Sequence, residues 1–419
     1  MEIRDPVHGA IVIEPQERTI IDHPIVQRLR RIKQLGFGDL AFPGATHTRF
    51  LHSLGTMEVA TRFFDTISPR LDLQTGKKQE FRRIVRLAGL LHDLGHPPLS
   101  HTTEAALAPL PELGLPAPFT ADHGQTTHED MTVKLIIAST LTDLIQQADV
   151  NPVSVAAVIR GIDYPAGKFT VNNVDYLPVL HQIISSEMDA DRMDYLLRDS
   201  FFTGAKYGQI DISWLISNLQ PIIRNNRCFL GLDSRAVFAF EDFLLSRYHM
   251  FLMVYFHHKS VIMHRMLKRF FDEHPLHLPA DPAEYIACDD RFLLDLLAKS
   301  SDPWARRITN NNLLKTVVEF RGPNPEIDLE VIAQKWRNQG AVVEVVDSRF
   351  ELSKYYSAKK TQDTQAMTMF IVEASMPVEI EKYTDLFLRY SKERHVIRVY
   401  ADAVHRDTIT KELKEAIKK

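Results

Sequence analysis

Cysteine is nearly absent: Cys228 and Cys288 are the only two in 419 residues. That excludes a disulfide framework and any zinc site built on thiolates. No apolar run approaches the roughly 18 residues a membrane span needs, and Met1 leads straight into Glu2 and Arg4 rather than an apolar targeting segment. Charge of one sign is also lacking. With 50 Lys+Arg against 54 Asp+Glu the formal charge is −4, so no whole-chain electrostatic case exists for gripping nucleic acid or anionic lipid. Internal repeats and low-complexity tracts are missing. What remains is ordinary globular usage, 45% hydrophobic and 25% charged. The expectation is a soluble, cytoplasmic chain with no membrane partner, divided by its length into about two or three domains.

The chain opens on a turn, Asp5-Pro6-Val7-His8-Gly9, followed by a short apolar strand over 10–13. Helical patterning dominates after it. Asp22 and Pro24 predict a helix start and Gly36 its stop, with Ile25, Leu29 and Ile32 on one face and Gln27, Arg30 and Gln34 opposite. The basic clusters Arg28, Arg30, Arg31, Lys33 and Arg82, Arg83, Arg86 read as solvated faces. A second helix follows Arg49, with Leu54, Met57, Ala60, Phe63, Phe64 and Ile67 as its apolar stripe. A third runs to about Leu94, with Phe81, Ile84, Val85, Ala88 and Leu91 inward, and Pro97-Pro98 stops it.

Residues 109–127, with Pro109, Pro111, Pro116 and Pro118, read as a long loop of the kind that carries function. Long helical patterns continue to about residue 271. A Pro-rich break at 275–282 and the segment Arg321-Gly322-Pro323-Asn324-Pro325 mark boundaries. Beyond the second, 342–346, 367–373 and 396–400 predict strands, separated by helical stretches such as 378–392. The fold class expected is mainly α, a helical body over 1–320 with a small C-terminal α+β region over 321–419.

Eighteen histidines are the unusual feature of the composition. His23, His274, His277, His395 and His405 stand in polar or turn contexts and carry no expectation. Two segments differ. His47-Thr48-Arg49-Phe50-Leu51-His52-Ser53-Leu54-Gly55 lies at a helix entrance, and Leu91-His92-Asp93-Leu94-Gly95-His96-Pro97-Pro98-Leu99-Ser100-His101 closes an apolar helix. A carboxylate at the end of a buried helix is costly unless it is paired or coordinates a cation, and His with Asp suits a borderline-to-hard divalent ion. Taken alone, the dipeptide is equally compatible with an Asp capping a neighbouring helix beside a satisfied core histidine. Ser100 reads as an N-cap that projects His101 and Glu104 together at i, i+3, a reasonable proton-transfer pair. Further on, Asp191, Tyr195 and Asp199 stand at i, i+4, i+8 on one helix face.

His52, His92-Asp93 and Asp191 together resemble the H…HD…D metal signature of the HD-domain phosphohydrolases. The Asp5–Gly9 turn, Phe42-Pro43-Gly44-Ala45-Thr46-His47, the His92–His101 segment and Asp191 to Asp199 resemble more closely the deoxynucleoside triphosphate triphosphohydrolases. The likeness is to the catalytic core of the SAM- and HD-domain enzymes and their bacterial relatives, and it spans roughly residues 1–270 in order, with no SAM domain expected ahead of Asp5. It implies a helical HD-domain core and one divalent metal ion (Mn, Mg, Fe, Co, Ni or Zn) held by His52, His92, Asp93 and Asp191. It also implies catalytic roles for His101, Glu104 and His128. Arg49, His96, Arg192 (in place of a lysine), Arg247 and Tyr255 match substrate contacts at the phosphates and sugar. Tyr195 matches the residue that excludes a 2′-hydroxyl, while Gln34, Leu35 and Asp199 match the group around the 3′-hydroxyl. Asp22, Gln27 and Arg30 match a guanine-recognising activator site at an oligomer interface. Where a second activator pocket has basic and polar groups, this chain has Asp233, Ala239 and Trp214.

The implied reaction is hydrolysis of a dNTP to deoxynucleoside and triphosphate, activated by GTP or dGTP in a homo-oligomer. Two alternatives stand beside it: an HD phosphodiesterase or nucleotidase acting on another phosphoester, and a non-catalytic nucleotide sensor or nucleic-acid-binding module. The 3′-hydroxyl group of residues argues against the first, and the complete metal set against the second. A nucleic-acid partner is not favoured.

Overall fold

The computed structural model describes residues 1–120, 123–321, 327–350, 369–386 and 394–417. Two long helices, Arg49–Ile67 and Thr75–Leu91, pack against each other, and Ala190–Thr203 packs on the first. The stripes expected to face inward do so: Leu54, Met57, Ala60, Phe63, Phe64 and Ile67, and Phe81, Ile84, Val85, Ala88 and Leu91, are each 1% exposed or less. At about 1.5–3 kcal/mol for each large apolar side chain, this seam is a principal source of stability, and it fixes the relative positions of His52 and His92. The helices His128–Ile137, Pro152–Arg160 and Leu177–Ile184 complete the main core. A second core gathers Phe270, Leu293, Leu297 and Ile308 from the helices His258–Glu273, Asp290–Lys299 and Pro303–Thr309. The fold is mainly α, as expected.

Three sheets accompany the helices among the described residues. Glu2–Asp5 and Gly9–Val12 form an antiparallel hairpin closed at Asp5 and Gly9. In the largest sheet, Leu219–Arg224 and Arg227–Asp233 are joined by Asn225-Asn226, both in the left-handed region (φ 51° and 56°), the requirement of a two-residue hairpin turn. Phe370–Glu373 pairs parallel to Arg227–Asp233, and Met376–Glu379 pairs with Phe370–Glu373. The third sheet sets Arg394–Ala401 between Lys315–Arg321 and Val343–Phe350.

Several expectations are corrected. The stretch up to 271 is not continuously helical, because the 219–233 hairpin interrupts it. The helix expected from Asp22 to Gly36 is the shorter Pro24–Gln27 with one 3-10 turn, Arg28–Arg31; its cap is His23, and Gln34 lies beyond it. Arg28 and Arg86 are buried, not solvated. Arg28 donates to the carbonyls of His96 (2.9 Å) and Cys288 (2.6 Å), and Arg86 to Glu17 (2.5 Å). Residues 376–379 are strand where 378–392 was expected helical, and helix among its described residues is confined to Ile380–Tyr383 and 385–386. Lys315–Arg321 is a strand, and the 370–379 hairpin pairs through Phe370–Glu373 with Arg227–Asp233. The 322–326 part of the boundary segment and residues 367 and 368 of the expected 367–373 strand lie outside the described residues.

A candidate metal centre and its cavity

His52 lies in the first turn of Arg49–Ile67, His92 ends Thr75–Leu91 with Asp93 just past it, and Asp191 opens Ala190–Thr203, where Asp189 caps the helix through the Arg192 N–H. His52 Nε2 is 3.0 Å from Asp191 Oδ1 and 3.6 Å from Asp93 Oδ2. His92 Nε2 is 3.4 Å from Asp93 Oδ1 and 3.7 Å from Asp191 Oδ1. Four side chains distant in sequence thus meet at one point. His52, His92 and Asp191 each offer a ligand atom within 4.8 Å of the others.

The ring orientations suit a cation. His92 Nδ1 faces the Gly89 carbonyl at 2.9 Å, an acceptor, so Nδ1 carries the proton and Nε2 the lone pair; that Nε2 is buried with no hydrogen-bond partner. His52 Nδ1 likewise donates to Asp194 Oδ2 at 2.7 Å. Burial alone would lower the pKa of His52, but hydrogen bonds to Asp191 and Asp194 push it up to about 10. His52 Nε2 and the Asp191 carboxylate thus face each other at the position where two imidazoles and two carboxylates fit a divalent ion. Asp93 is buried too, yet the Arg49 guanidinium and the His92 and His96 rings hold it well below the carboxylate range. Arg49 pairs with Asp93 and donates from Nε to Ser100 Oγ at 3.0 Å.

Beside this point stand three more histidines. Glu104 accepts from His101 Nδ1 at 3.1 Å and from His128 Nδ1 at 2.7 Å, leaving the other nitrogen of each ring directed away. His96 stacks on His128 with ring centroids 3.9 Å apart. Ser100 is not the N-cap expected. Leu99 and Ser100 both adopt positive φ (54° and 61°), which turns the chain sharply into a 3-10 helix, Ser100–Ala106, and frees the Ser100 hydroxyl for Lys33 O and Arg49. Gly95 lets the His92–His96 turn touch the start of the His128 helix: a Cβ there would lie 2.1 Å from His128 O and 2.4 Å from Thr132 N.

The centre opens into a cavity of about 740 Å³. All the residues expected to touch substrate line it: Gln34, Leu35, Arg49, His96, Arg192, Tyr195, Asp199, Arg247 and Tyr255. His101 and His128 line it as well. Arg247 is 2% exposed and its Nε and NH1 have no hydrogen-bond partner, although NH1 lies 3.8 Å from the buried Glu187 carboxylate, which also pairs with Arg192 at 3.4 Å. Burial and the neighbouring Arg192 lower its pKa, so two guanidinium groups crowd one wall of a cavity. That arrangement invites an anion. Arg192 is partly committed, donating to Glu187 O at 3.0 Å. Asp199 accepts from His47 and from the Tyr255 hydroxyl, both at 2.8 Å. A π-helical turn, Phe251–Tyr255, brings Phe251, Val254 and Tyr255 to the wall; such turns gather at functional sites.

Asp22, Gln27 and Arg30 are away from this cavity. Arg30 Nε donates to Gln27 Oε1 at 2.7 Å, and its guanidinium lies 3.7 Å over the Phe50 ring. Sequence reasoning missed Asp194, Arg198, Ser260 and His264. Asp194 carried a signal, since it follows Asp191 by three residues and so shares its helix face; the others carried none.

Residues 49–199 match the HD domain and residues 210–346 the HD associated region. The chain belongs to the HD-domain family. It is 31% identical over 318 residues to an uncharacterized protein of Methanocaldococcus jannaschii, covering 76% of this chain and 59% of that one. It is 30% identical over 339 residues to the deoxynucleoside triphosphate triphosphohydrolase SAMHD1 homolog of Dictyostelium discoideum, covering 76% and 60%. The chain thus spans about three-fifths of the length of these curated relatives. A solved structure of a hypothetical protein from Aquifex aeolicus superposes with a TM-score of 0.75 at 27% identity, over 99% of both chains. No helix among the described residues is long and apolar enough to cross a membrane.

Proposed function

We propose that this HD-domain chain is a metal-dependent phosphohydrolase that converts deoxynucleoside triphosphates to deoxynucleoside and inorganic triphosphate. The observation that carries the reading is that His92, Asp93 and Asp191 of the cluster, the Glu104-linked His101 and His128, and the buried Arg247 line one cavity. The residues proposed to hold the ion are His52, His92, Asp93 and Asp191; bound there, it would polarise the α-phosphate and stabilise the charge that develops on it.

The chain's own residues do the rest. Arg49, Arg192 and Arg247 bind and orient the triphosphate, with His96 beside it. Water adds to the α-phosphorus as the bond from phosphorus to the 5′-oxygen breaks. His101, doubly protonated with its Nδ1–H held by Glu104, gives that oxygen a proton from Nε2 and regains one released by the attacking water, while His128 shares the same carboxylate. Tyr195 packs where a 2′-hydroxyl would lie. Gln34, Leu35 and Asp199, the last supported by Tyr255, surround the 3′-hydroxyl.

The proposal includes activation by a guanine nucleotide at Asp22, Gln27 and Arg30 within a homo-oligomer, a cytoplasmic location, and a division of the chain into an HD core over 1–320 and a small α+β C-terminal unit over 321–419. Support for the activator site is the exposure of Asp22 and Arg30 on either side of a half-buried Gln27. The test is to incubate the protein with each dNTP and NTP, with Mn²⁺ or Mg²⁺ and with or without GTP, and to separate products by chromatography. Deoxynucleoside and tripolyphosphate in equal amounts support the reading; monophosphate and pyrophosphate contradict it.

A further inference from the structure

The Asp5–Gly9 turn takes no part in the cavity, yet its side chains are sealed against the Ala190–Thr203 helix. Asp5 Oδ1 accepts from the N–H groups of Val7 and His8, both at 2.9 Å, which closes the turn. Both Asp5 oxygens also accept from Arg198, at 2.8 and 3.2 Å. Arg198 donates onward to both oxygens of Asp194, each at 2.8 Å. His8 Nε2 donates to Asp194 Oδ1 at 2.6 Å, and Asp194 Oδ2 takes the His52 Nδ1 proton at 2.7 Å. The side chains of Asp194 and Arg198 are 0% exposed, Asp5 1% and His8 3%.

We propose that this turn is the outer support of the metal centre: His8 and Arg198 are positioning residues that fix Asp194, and Asp194 fixes His52 with Nε2 toward the cation. The inference rests on the metal-centre reading above. Two carboxylates, a guanidinium and an imidazole buried together are a poor way to gain stability, since an apolar cluster of equal volume does as well or better. They are a good way to hold one ring orientation, because a ligating histidine is aligned by the acceptor at its other nitrogen.

Gly55 is a second and independent sign. It stands inside a 19-residue helix, where alanine would gain about 1 kcal/mol. A Cβ at that position would meet Asp194 Oδ1 at 1.8 Å and Arg198 NH2 at 2.3 Å. The helix forgoes propensity there so that the Asp194–Arg198 pair can reach beneath His52.

The test titrates Co²⁺ into the full, chelator-stripped chain, following the visible absorption of the bound ion and, separately, the melting temperature of the metal-free form. His8→Ala removes a donor to Asp194; His8→Gln keeps one. The expectation is that His8→Ala binds Co²⁺ roughly ten- to hundredfold more weakly with a shifted absorption band, and that His8→Gln recovers most of the affinity. His8→Phe, which fills the space without a donor, replaces the alanine variant if that chain does not fold. Co²⁺ affinity and spectrum equal to the wild type in the donor-less variants would overturn the inference while leaving the metal centre intact. A wild-type chain that binds no Co²⁺ overturns both.

Discussion

Glu104 accepts two hydrogen bonds from His128, from its backbone N–H at 2.8 Å and from its ring Nδ1 at 2.7 Å. The same carboxylate takes His101 at 3.1 Å. Burial would raise the pKa of Glu104, but the bonds from His101 and His128 hold it far below the usual range. It is therefore a fixed anion that orients two rings. Glu104→Gln is expected to lower kcat by roughly 10²–10⁴, the span of a lost acid–base partner, with metal content unchanged. Steady-state kinetics beside elemental analysis checks both halves.

Gly95→Ala should be among the most damaging small substitutions in the chain. Its Cβ would collide with backbone on the far side, His128 O and Thr132 N, so no side chain can swing away. A loss of about 3 kcal/mol or more, typical of such strain, should appear in urea unfolding, together with loss of activity as the His128 helix is displaced from His92-Asp93.

Arg247→Lys keeps the charge but not the planar fork of donors. If Nε and NH1, neither of which makes a hydrogen bond within the chain, receive phosphate oxygens, KM for a dNTP should rise about tenfold or more while Co²⁺ or Mn²⁺ affinity stays at the wild-type value. An unchanged KM would remove this residue from the substrate site.

Much of the site was legible because its chemistry is carried by residue types rare in helices, at fixed spacings: His52, His92-Asp93, and the Asp191, Tyr195, Asp199 row. The long stripes of the 49–67 and 75–91 helices were equally clear, since one face of each is wholly buried. The 219–233 hairpin was not. Its second strand runs Cys228-Phe229-Leu230-Gly231-Leu232, almost all buried, and a short continuous apolar run fits a buried helix as well as a strand. Asn225-Asn226 was the overlooked signal. Arg28 deceived for another reason: the carbonyls that satisfy it, from His96 and Cys288, come from 68 and 260 residues away, and no local pattern reports them.

His264 offers a pH test. Burial and then nearby His101 push it down to about 4, and its Nε2 has no hydrogen-bond partner. Between that value and the ordinary 6.5 the unfolded chain takes a proton the folded chain refuses, so stability rises with pH through this window and is lost on acidification. From pH 7 to pH 5 the loss from this one group is about 2 kcal/mol. His264→Leu should lose about that much less over the same interval in denaturant unfolding; an identical pH dependence would show that the ring is not the source.

The measurement closest to the centre of the account is the metal content of the purified chain after saturation and removal of excess ion, compared with Asp191→Asn and Asp93→Asn. One divalent ion per wild-type chain, with most of it lost from each variant, is the predicted result. No retained ion in the wild type, or equal retention in all three, would contradict the convergence of His52, His92, Asp93 and Asp191 on a single cation.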